Sequence, residues 1–296
     1  MRQTYGKLLP AVRMSDLGGK LIVIEGTDGV GRTTQINLLR PWLEELGHAV
    51  LDTGMTRSPL AGDGIRRAKE GNNLGRVTQT LFYATDFVDR LENEIVPALR
   101  AGFIVLTDRY VYSLMARAIV RGMDPEWVRS IFRVALRPDA VFYLRLGIEK
   151  LVPRVVFSRG FDYWESGMDL YPGYDMYDSF RAYQAALLAE FDRLSEEFTF
   201  ETVDASGEPK KVFAQLKVKV QRVLGTDPSA LSVPMLKAAV GGGNGRQISL
   251  PRAAEPGLEA VDFGRVERPV AVAAAHTNGN CQTGREVMPV QKMLCS

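Results

Sequence analysis

Short apolar runs alternate with longer stretches of helical periodicity along the first 225 residues. Lys20-Leu-Ile-Val-Ile-Glu25 has the pattern of a buried strand, an apolar run that stops at glycines. From Thr33 to Gly47 the apolar positions fall at Ile36, Leu38, Leu39, Trp42, Leu43 and Leu46, a helical spacing with Gly47 as its cap. His48–Leu51 is the next short strand, and helices are predicted over 60–70 and 75–101. Phe103–Thr107 is a third strand, 124–136 a helix opened by Asp124-Pro125, and Ala140–Leu144 a fourth strand. A helix over 174–198, a strand over Thr199–Val203 and an amphipathic helix over 208–224 complete the series. Strands alternating with helices in this way predict an α/β protein, a parallel five-stranded sheet with helices on both faces.

The periodic region has a different texture on either side. Residues 1–19 read as an N-terminal arm, with Pro10 and the Gly18-Gly19 break. Residues 226–296 carry Gly241-Gly-Gly-Asn-Gly245, several prolines and alanine runs without sustained periodicity, and are expected to be a largely disordered extension. The expected organisation is therefore an arm (1–19), one domain (20–225) and an extension (226–296).

Composition narrows the function classes. Lys and Arg number 37 against 35 Asp and Glu, a net charge of +2, which argues against a dedicated nucleic-acid binder but leaves room for a local basic pocket. No run reaches the roughly 18 apolar residues of a membrane-crossing helix. The N-terminus lacks the apolar core of a secretory signal, so a cytoplasmic location and no membrane partner are expected. The two cysteines, Cys281 and Cys295, lie in the extension, which excludes a disulfide framework or cysteine zinc site in the main body. The two histidines, His48 and His276, are too far apart in the chain to suggest a histidine metal site or a Ser-His-Asp triad.

The strongest chemical signal is Gly26-Thr27-Asp28-Gly29-Val30-Gly31-Arg32-Thr33-Thr34, placed between a predicted strand and a predicted helix. This is the setting of a phosphate-binding loop: glycines let backbone N–H groups curl round phosphate oxygens, and the helix N-terminus adds partial positive charge. Arg32 stands where such loops usually carry lysine. It keeps the charge but offers a planar fork, so nucleotide binding is expected to survive while turnover is the open question. Thr33 would offer its hydroxyl to Mg²⁺. Asp108-Arg109-Tyr110 follows the strand Phe103–Thr107 and so faces the same crevice beyond the strand ends. Asp108 could hold Mg²⁺ or its water shell, and Arg109 could clamp a second phosphate.

Together the loop, the Asp-Arg-Tyr motif and the strand order resemble the thymidylate kinase family of P-loop nucleoside-monophosphate kinases. Leu21–Thr34 resembles its opening strand and GxDGxGKST loop, and Ile95–Tyr110 its helix, strand and DRY motif. Arg137–Leu144 and Val203-Asp-Ala-Ser-Gly207 resemble two later strand regions, so the resemblance spans roughly residues 20–225. It implies a P-loop NTPase fold with a mobile lid, ATP as donor, Mg²⁺, dTMP as acceptor and a possible homodimer. By the same resemblance Asp28, Arg57 and Arg109 would contact the acceptor sugar or phosphate, Tyr83 would stack on the base, and Ser113 matches the serine after DRY. Gly29 replaces a catalytic arginine of some members, so lid arginine Arg154 or Arg159 would take that work. The family's base-reading arginine aligns with Phe87, with Arg90 one turn on as a substitute, and its Tyr-Gln pair aligns with Arg117 and Ala118. The alternatives are a weak or inactive nucleotide-binding regulatory module and a kinase with another acceptor.

Overall fold

The computed structural model describes residues 3–6, 12–71 and 74–225. The predicted extension 226–296 therefore lies outside the described residues, as does part of the arm. Five strands form one sheet: β1 (Lys20–Glu25), β2 (Val50–Gly54), β3 (Ile104–Asp108), β4 (Ala140–Arg145) and β5 (Glu201–Asp204), in the order β2-β3-β1-β4-β5. Every pairing is parallel. The register sets Ile24 of β1 beside Asp108 of β3, so the glycine loop and the Asp-Arg-Tyr turn leave the sheet at the same level.

The strand pattern explains the two-sided core. Along β1, Leu21 and Val23 join one apolar cluster and Ile22 and Ile24 the other, because successive side chains in a strand face opposite ways. On one face pack α3 (Arg76–Arg90), α5 (Val111–Val120) and α8 (Met176–Glu197), through Ala84, Leu114 and Leu187 among others. On the other face pack α1 (Arg32–Glu45), α7 (Ile148–Ser158) and α9 (Pro209–Leu224), through Leu39, Val155 and Leu216.

The helix predicted over 75–101 is continuous but not uniform. Between α3 and α4 (Val96–Arg100) the chain widens into a π turn at Leu91–Ile95. Pro97 has no N–H and its ring crowds the preceding turn, which disfavours the ordinary ladder there. The helix predicted over 124–136 is shorter, α6 (Pro125–Ile131) capped by Asp124, and relaxes into a tight turn at Phe132–Val134. The remaining helix, α2, spans Gly62–Glu70.

Two helices were not expected from periodicity. Residues Val111 to Ala118 of α5 are all buried, so no polar face exists to produce an amphipathic signal. In α7, Pro153 interrupts the pattern. The two edge strands also shift, since β2 begins at Val50 and runs on through polar Asp52 and Thr53, and β5 begins only after Thr199, whose φ is 55°.

Two cavities lie at opposite ends of the sheet. The larger, about 610 Å³, sits at the N-terminal end between residues of the arm, Arg137–Val141 and Thr199. Its charged groups are already engaged, Lys20 with Asp139 and Arg137 with Gln3. The second, about 530 Å³, opens at the carboxyl ends of the strands against the glycine loop, where ligands bind in open parallel sheets.

Candidate active site

The glycine loop reverses the chain between β1 and α1 and needs conformations that side chains resist. Gly26 has a φ of 148°, and a Cβ there would lie 2.7 Å from the Leu144 carbonyl oxygen. Gly29 has a φ of 80°, and a Cβ there would lie 2.3 Å from a methyl carbon of Val155 on α7. An arginine at position 29 would therefore collide with α7, which is why charge at this level must come from other elements.

Arg32 and Thr33 open α1 and meet Asp108 at the end of β3. Arg32 donates from Nε to one carboxylate oxygen at 2.8 Å, and Thr33 donates its hydroxyl to the other at 2.8 Å. Arg32 also donates from Nη1 to the carbonyls of Gly26 and Thr27, so its planar fork ties the loop to the strand end. Burial opposes ionisation of Asp108, but Arg32 and Arg109 outweigh it and hold the carboxyl below the usual range. Arg32 is likewise kept charged against its burial by Asp108 and Asp28.

Behind this triad stands Asp28, only 1% exposed. Arg117 on α5 donates from Nη2 to both of its oxygens, at 2.8 and 2.6 Å, and Arg109 donates to one of them. Gln184 on α8 adds a longer bond from Nε2 at 3.3 Å and accepts from the Asp28 backbone N–H. Burial alone would raise the Asp28 pKa. The guanidiniums of Arg109, Arg117 and Arg32 reverse that and hold it far below the usual carboxylate range.

Arg109 and Thr56 are non-glycine residues in the left-handed region, with φ of 71° and 64°. They sit just past the ends of β3 and β2, and such strain concentrates at functional sites. Arg57 reaches the cavity beside Gly54 and pairs with Asp52 at 3.0 Å. From the lid region, Arg154 donates to the carbonyls of Val30 and Ala205, at 3.1 and 3.2 Å, while Arg159 forms a two-pronged pair with Glu165. The cavity is lined by Arg32, Arg57, Arg109, Arg154 and Arg159 against Asp108 and Glu165, five cations to two carboxylates. That surplus suits a polyanion.

The lid region is tied down more than its turn-rich sequence suggests. Trp164 is buried and donates its indole N–H to the Lys69 carbonyl. Arg121 binds the Trp164 carbonyl and Asp169, and Ser179 donates to the Ser166 carbonyl. The exposed residues Phe157–Arg159 carry fewer such ties.

Most of the expected site residues converge, although Asp28, Tyr83 and Arg117 are not among the residues that line the cavity, and Phe87, Arg90 and Ser113 are engaged elsewhere. Phe87 is fully buried in the core, edge-on to Tyr110 and Phe132, because it lies on the inward stripe of α3. Arg90 is also buried and pairs with Asp86, whose carboxylate accepts the backbone N–H groups of Thr56 and Ser58. Arg90 thus braces the Arg57 loop. Ser113 donates to Glu25, which also accepts from the Tyr110 and Ser113 backbone N–H groups and so caps α5. Burial raises the Glu25 pKa, with the Ser113 hydroxyl pulling the other way. Tyr83 is buried as well, and burial raises the pKa of its phenol while the positive charges of Arg117, Arg121 and Arg109 pull the other way.

Sequence reasoning missed Glu25, Asp86, Glu165 and Gln184. Only Glu25 left a signal, as the one acid ending an otherwise apolar strand. Asp86 and Gln184 depend on which helix faces are turned toward the site, and Glu165 on how the turns between α7 and α8 fold.

Hard oxygen donors, the Thr33 hydroxyl and the Asp108 carboxylate, lie together beside the loop, a donor set that fits Mg²⁺ holding most of its own waters. Among the described residues no cluster of three His, Cys, Asp or Glu side chains exists to form a protein-only metal cage.

Residues 24–215 match the family profile described as Thymidylate kinase. A protein of Saccharolobus solfataricus named "Probable thymidylate kinase 2" is 35% identical over 209 residues, covering 70% of this chain and 96% of its own length. The "Probable thymidylate kinase" of Thermococcus kodakarensis is 36% identical over 143 residues, 45% of this chain and 70% of that protein. The "Thymidylate kinase" of Caldicellulosiruptor saccharolyticus is 34% identical over 143 residues, 46% of this chain and 69% of that protein.

Proposed function

The chain belongs to the thymidylate kinase family, a family of phosphotransferases that use ATP, and we propose that its own reaction carries the γ-phosphoryl group of ATP to dTMP, giving ADP and dTDP. The observation that carries this reading is the convergence of Arg32, Thr33 and Asp108 at the mouth of the glycine loop. Phosphoryl transfer needs positioning and charge neutralisation far more than covalent chemistry, and these residues supply both.

In this reading the backbone of Gly26–Thr34 cradles the donor phosphates and Arg32 bridges them, exchanging its bonds to the Gly26 and Thr27 carbonyls for phosphate oxygens. Thr33 and Asp108 would hold Mg²⁺, which would spread the charge of the donor phosphates. Arg57 and Arg109 hold the acceptor phosphate, and Asp28 fixes Arg109 while remaining ionised. Tyr83 offers its ring to the base, and Arg117 stands at the acceptor sugar and base. Arg159, whose pair with Glu165 leaves it at the cavity edge, closes over the transferring group. Arg154 braces the loop from α7. Phe87, Arg90 and Ser113 act behind the site by packing, bracing and capping.

Domain limits of 20–225 accord with the matched residues, and a cytoplasmic location goes with this reading. No helix among the described residues is long and apolar enough to cross a membrane. A homodimer is part of the proposal too, supported by exposed Leu60, Val77 and Leu81 on the α2–α3 side, and light scattering would test it. The comparisons offer nothing in favour of an inactive regulatory module.

The deciding experiment is ADP release from ATP and Mg²⁺ by the full chain with dTMP, dUMP, UMP, CMP, AMP or GMP. A dTMP-dependent rate is expected. ATP binding without turnover on any acceptor would overturn the reading.

A further inference from the structure

Resting on the reading of the site as a dTMP kinase, we propose that Thr107 is a positioning residue whose hydroxyl locks the strained turn that aims Arg109 at the acceptor phosphate. Arg109 lines the cavity and donates to Asp28, yet its backbone has a φ of 71°. Side chains resist that region because Cβ crowds the neighbouring backbone, so an arginine stays there only where its surroundings hold it.

Three hydrogen bonds hold this turn. The Arg109 N–H donates to the Ile24 carbonyl of β1 at 3.1 Å. The Arg109 carbonyl accepts the Thr107 hydroxyl at 2.6 Å. The next N–H, that of Tyr110, donates to buried Glu25 at 2.8 Å. The peptide group joining Arg109 to Tyr110 is therefore gripped at both ends by side chains, Thr107 at its oxygen and Glu25 at its nitrogen. Glu25 has a second task, since it also binds Ser113 and caps α5. Among the described residues, the bond to Arg109 is the only side-chain hydrogen bond of Thr107.

Thr107 is itself fully buried. Along β3, Ile104 and Leu106 enter the cluster against α1 and Val105 the opposite one, so Thr107 falls on the Val105 face. Valine has the same shape and is at home in a buried parallel strand. A hydroxyl buried there has to find a partner, and it is spent on the Arg109 carbonyl. Without it the carbonyl loses its partner at the point of strain, and Arg109 is free to relax toward negative φ. That relaxation would swing its Cβ, and with it the guanidinium, off Asp28 and away from the acceptor phosphate. Asp108, the residue between the two, faces Arg32 and Thr33 instead. The hydroxyl thus acts on the acceptor side of the turn and leaves the donor side alone.

The test compares the full chain with Thr107→Val, which keeps the shape and removes the hydroxyl, and Thr107→Ser, which restores a donor. Calorimetry measures binding of dTMP and of thymidine, which lacks the phosphate, and steady-state kinetics gives KM and kcat. Thr107→Val is expected to weaken dTMP binding about fivefold, the scale of one hydrogen bond, and to raise KM for dTMP by a similar factor. Binding of thymidine and of a fluorescent ATP analogue should not change, and Thr107→Ser should recover most of the loss. In an Arg109→Met background, Thr107→Val should have no further effect on dTMP binding, because the hydroxyl acts through Arg109. Equal weakening of dTMP and thymidine, or of the ATP analogue, would mark a general structural role and overturn the assignment. An unaltered dTMP affinity, or full additivity with Arg109→Met, would overturn it too. Thr107→Ala, which also lacks the hydroxyl, serves the same comparison if Thr107→Val does not fold. If the wild type binds dTMP without phosphorylating it, the proposed reaction fails while calorimetry still decides Thr107. If it binds dTMP no better than thymidine, both fall.

Discussion

The glycine loop and the Asp28 cluster are neighbours, yet they are built in opposite ways. The loop is nine consecutive residues, with Arg32 and Thr33 at its end reaching one acid, Asp108. The Asp28 cluster is made of side chains from separate elements: Arg109 after β3, Arg117 on α5 and Gln184 on α8, all closing on one buried carboxylate. In a contiguous backbone site the chain path is set locally, and Arg32 adds to it by bonding the Gly26 and Thr27 carbonyls. A site assembled from distant side chains depends on each charge finding its partner, so removing one strands the others.

The largest effect should therefore come from the acceptor half. Asp28→Asn leaves Arg109 and Arg117 facing each other without a counter-charge, and is expected to cost about 3–5 kcal/mol in urea unfolding, the range for breaking a buried pair. Because its pKa is lowered in the folded state, Asp28 contributes stability that is present above the ordinary value of 3.8 and lost as pH falls through the folded value. Asp108 behaves in the same direction. The wild-type urea midpoint should fall on acidification below about pH 4, and the limb should be shallower in Asp28→Asn.

Asp108→Asn tests the donor half. It keeps the shape but removes the charge that Arg32 and Thr33 converge on, and kcat should drop about 100- to 1000-fold, the scale of losing one electrostatic stabiliser of the transition state. Stability should fall less than in Asp28→Asn, because Asp108 borders the cavity. Equal destabilisation in the two variants would erase the contrast between the halves.

The two lid arginines sharpen the same contrast on a smaller scale. Arg159→Ala is expected to lower kcat about tenfold or more while KM for ATP changes little, in keeping with a charge used mainly at transfer. Arg154→Ala, which loses the ties to Val30 and Ala205, should act mainly on KM for ATP. Reversed outcomes would exchange their roles. The smallest effect should be Ser113→Ala. It removes one of the bonds to buried Glu25 and should cost about 1 kcal/mol in unfolding free energy with KM for dTMP nearly unchanged.

The helices read least well show why some of the site stayed hidden. The missing signal in α5 reflects burial on every side, and α5 is the element that delivers Arg117 to Asp28. Phe87 and Arg90 fell on a motif-aligned helix, but the alignment carried no information on which way α3 turns. Arg90 went to Asp86 and Phe87 to the core.

The chain by itself determined the alternation of strands and helices, the glycine loop at the end of β1, and Asp108 following β3. These depend on local periodicity and on backbone conformations that only particular residues adopt. Tertiary structure alone decided that Arg32 and Thr33 share Asp108, and that Asp28 gathers Arg109, Arg117 and Gln184. Those pairings join residues as much as 156 positions apart, and only packing on both faces of the sheet sets their distances.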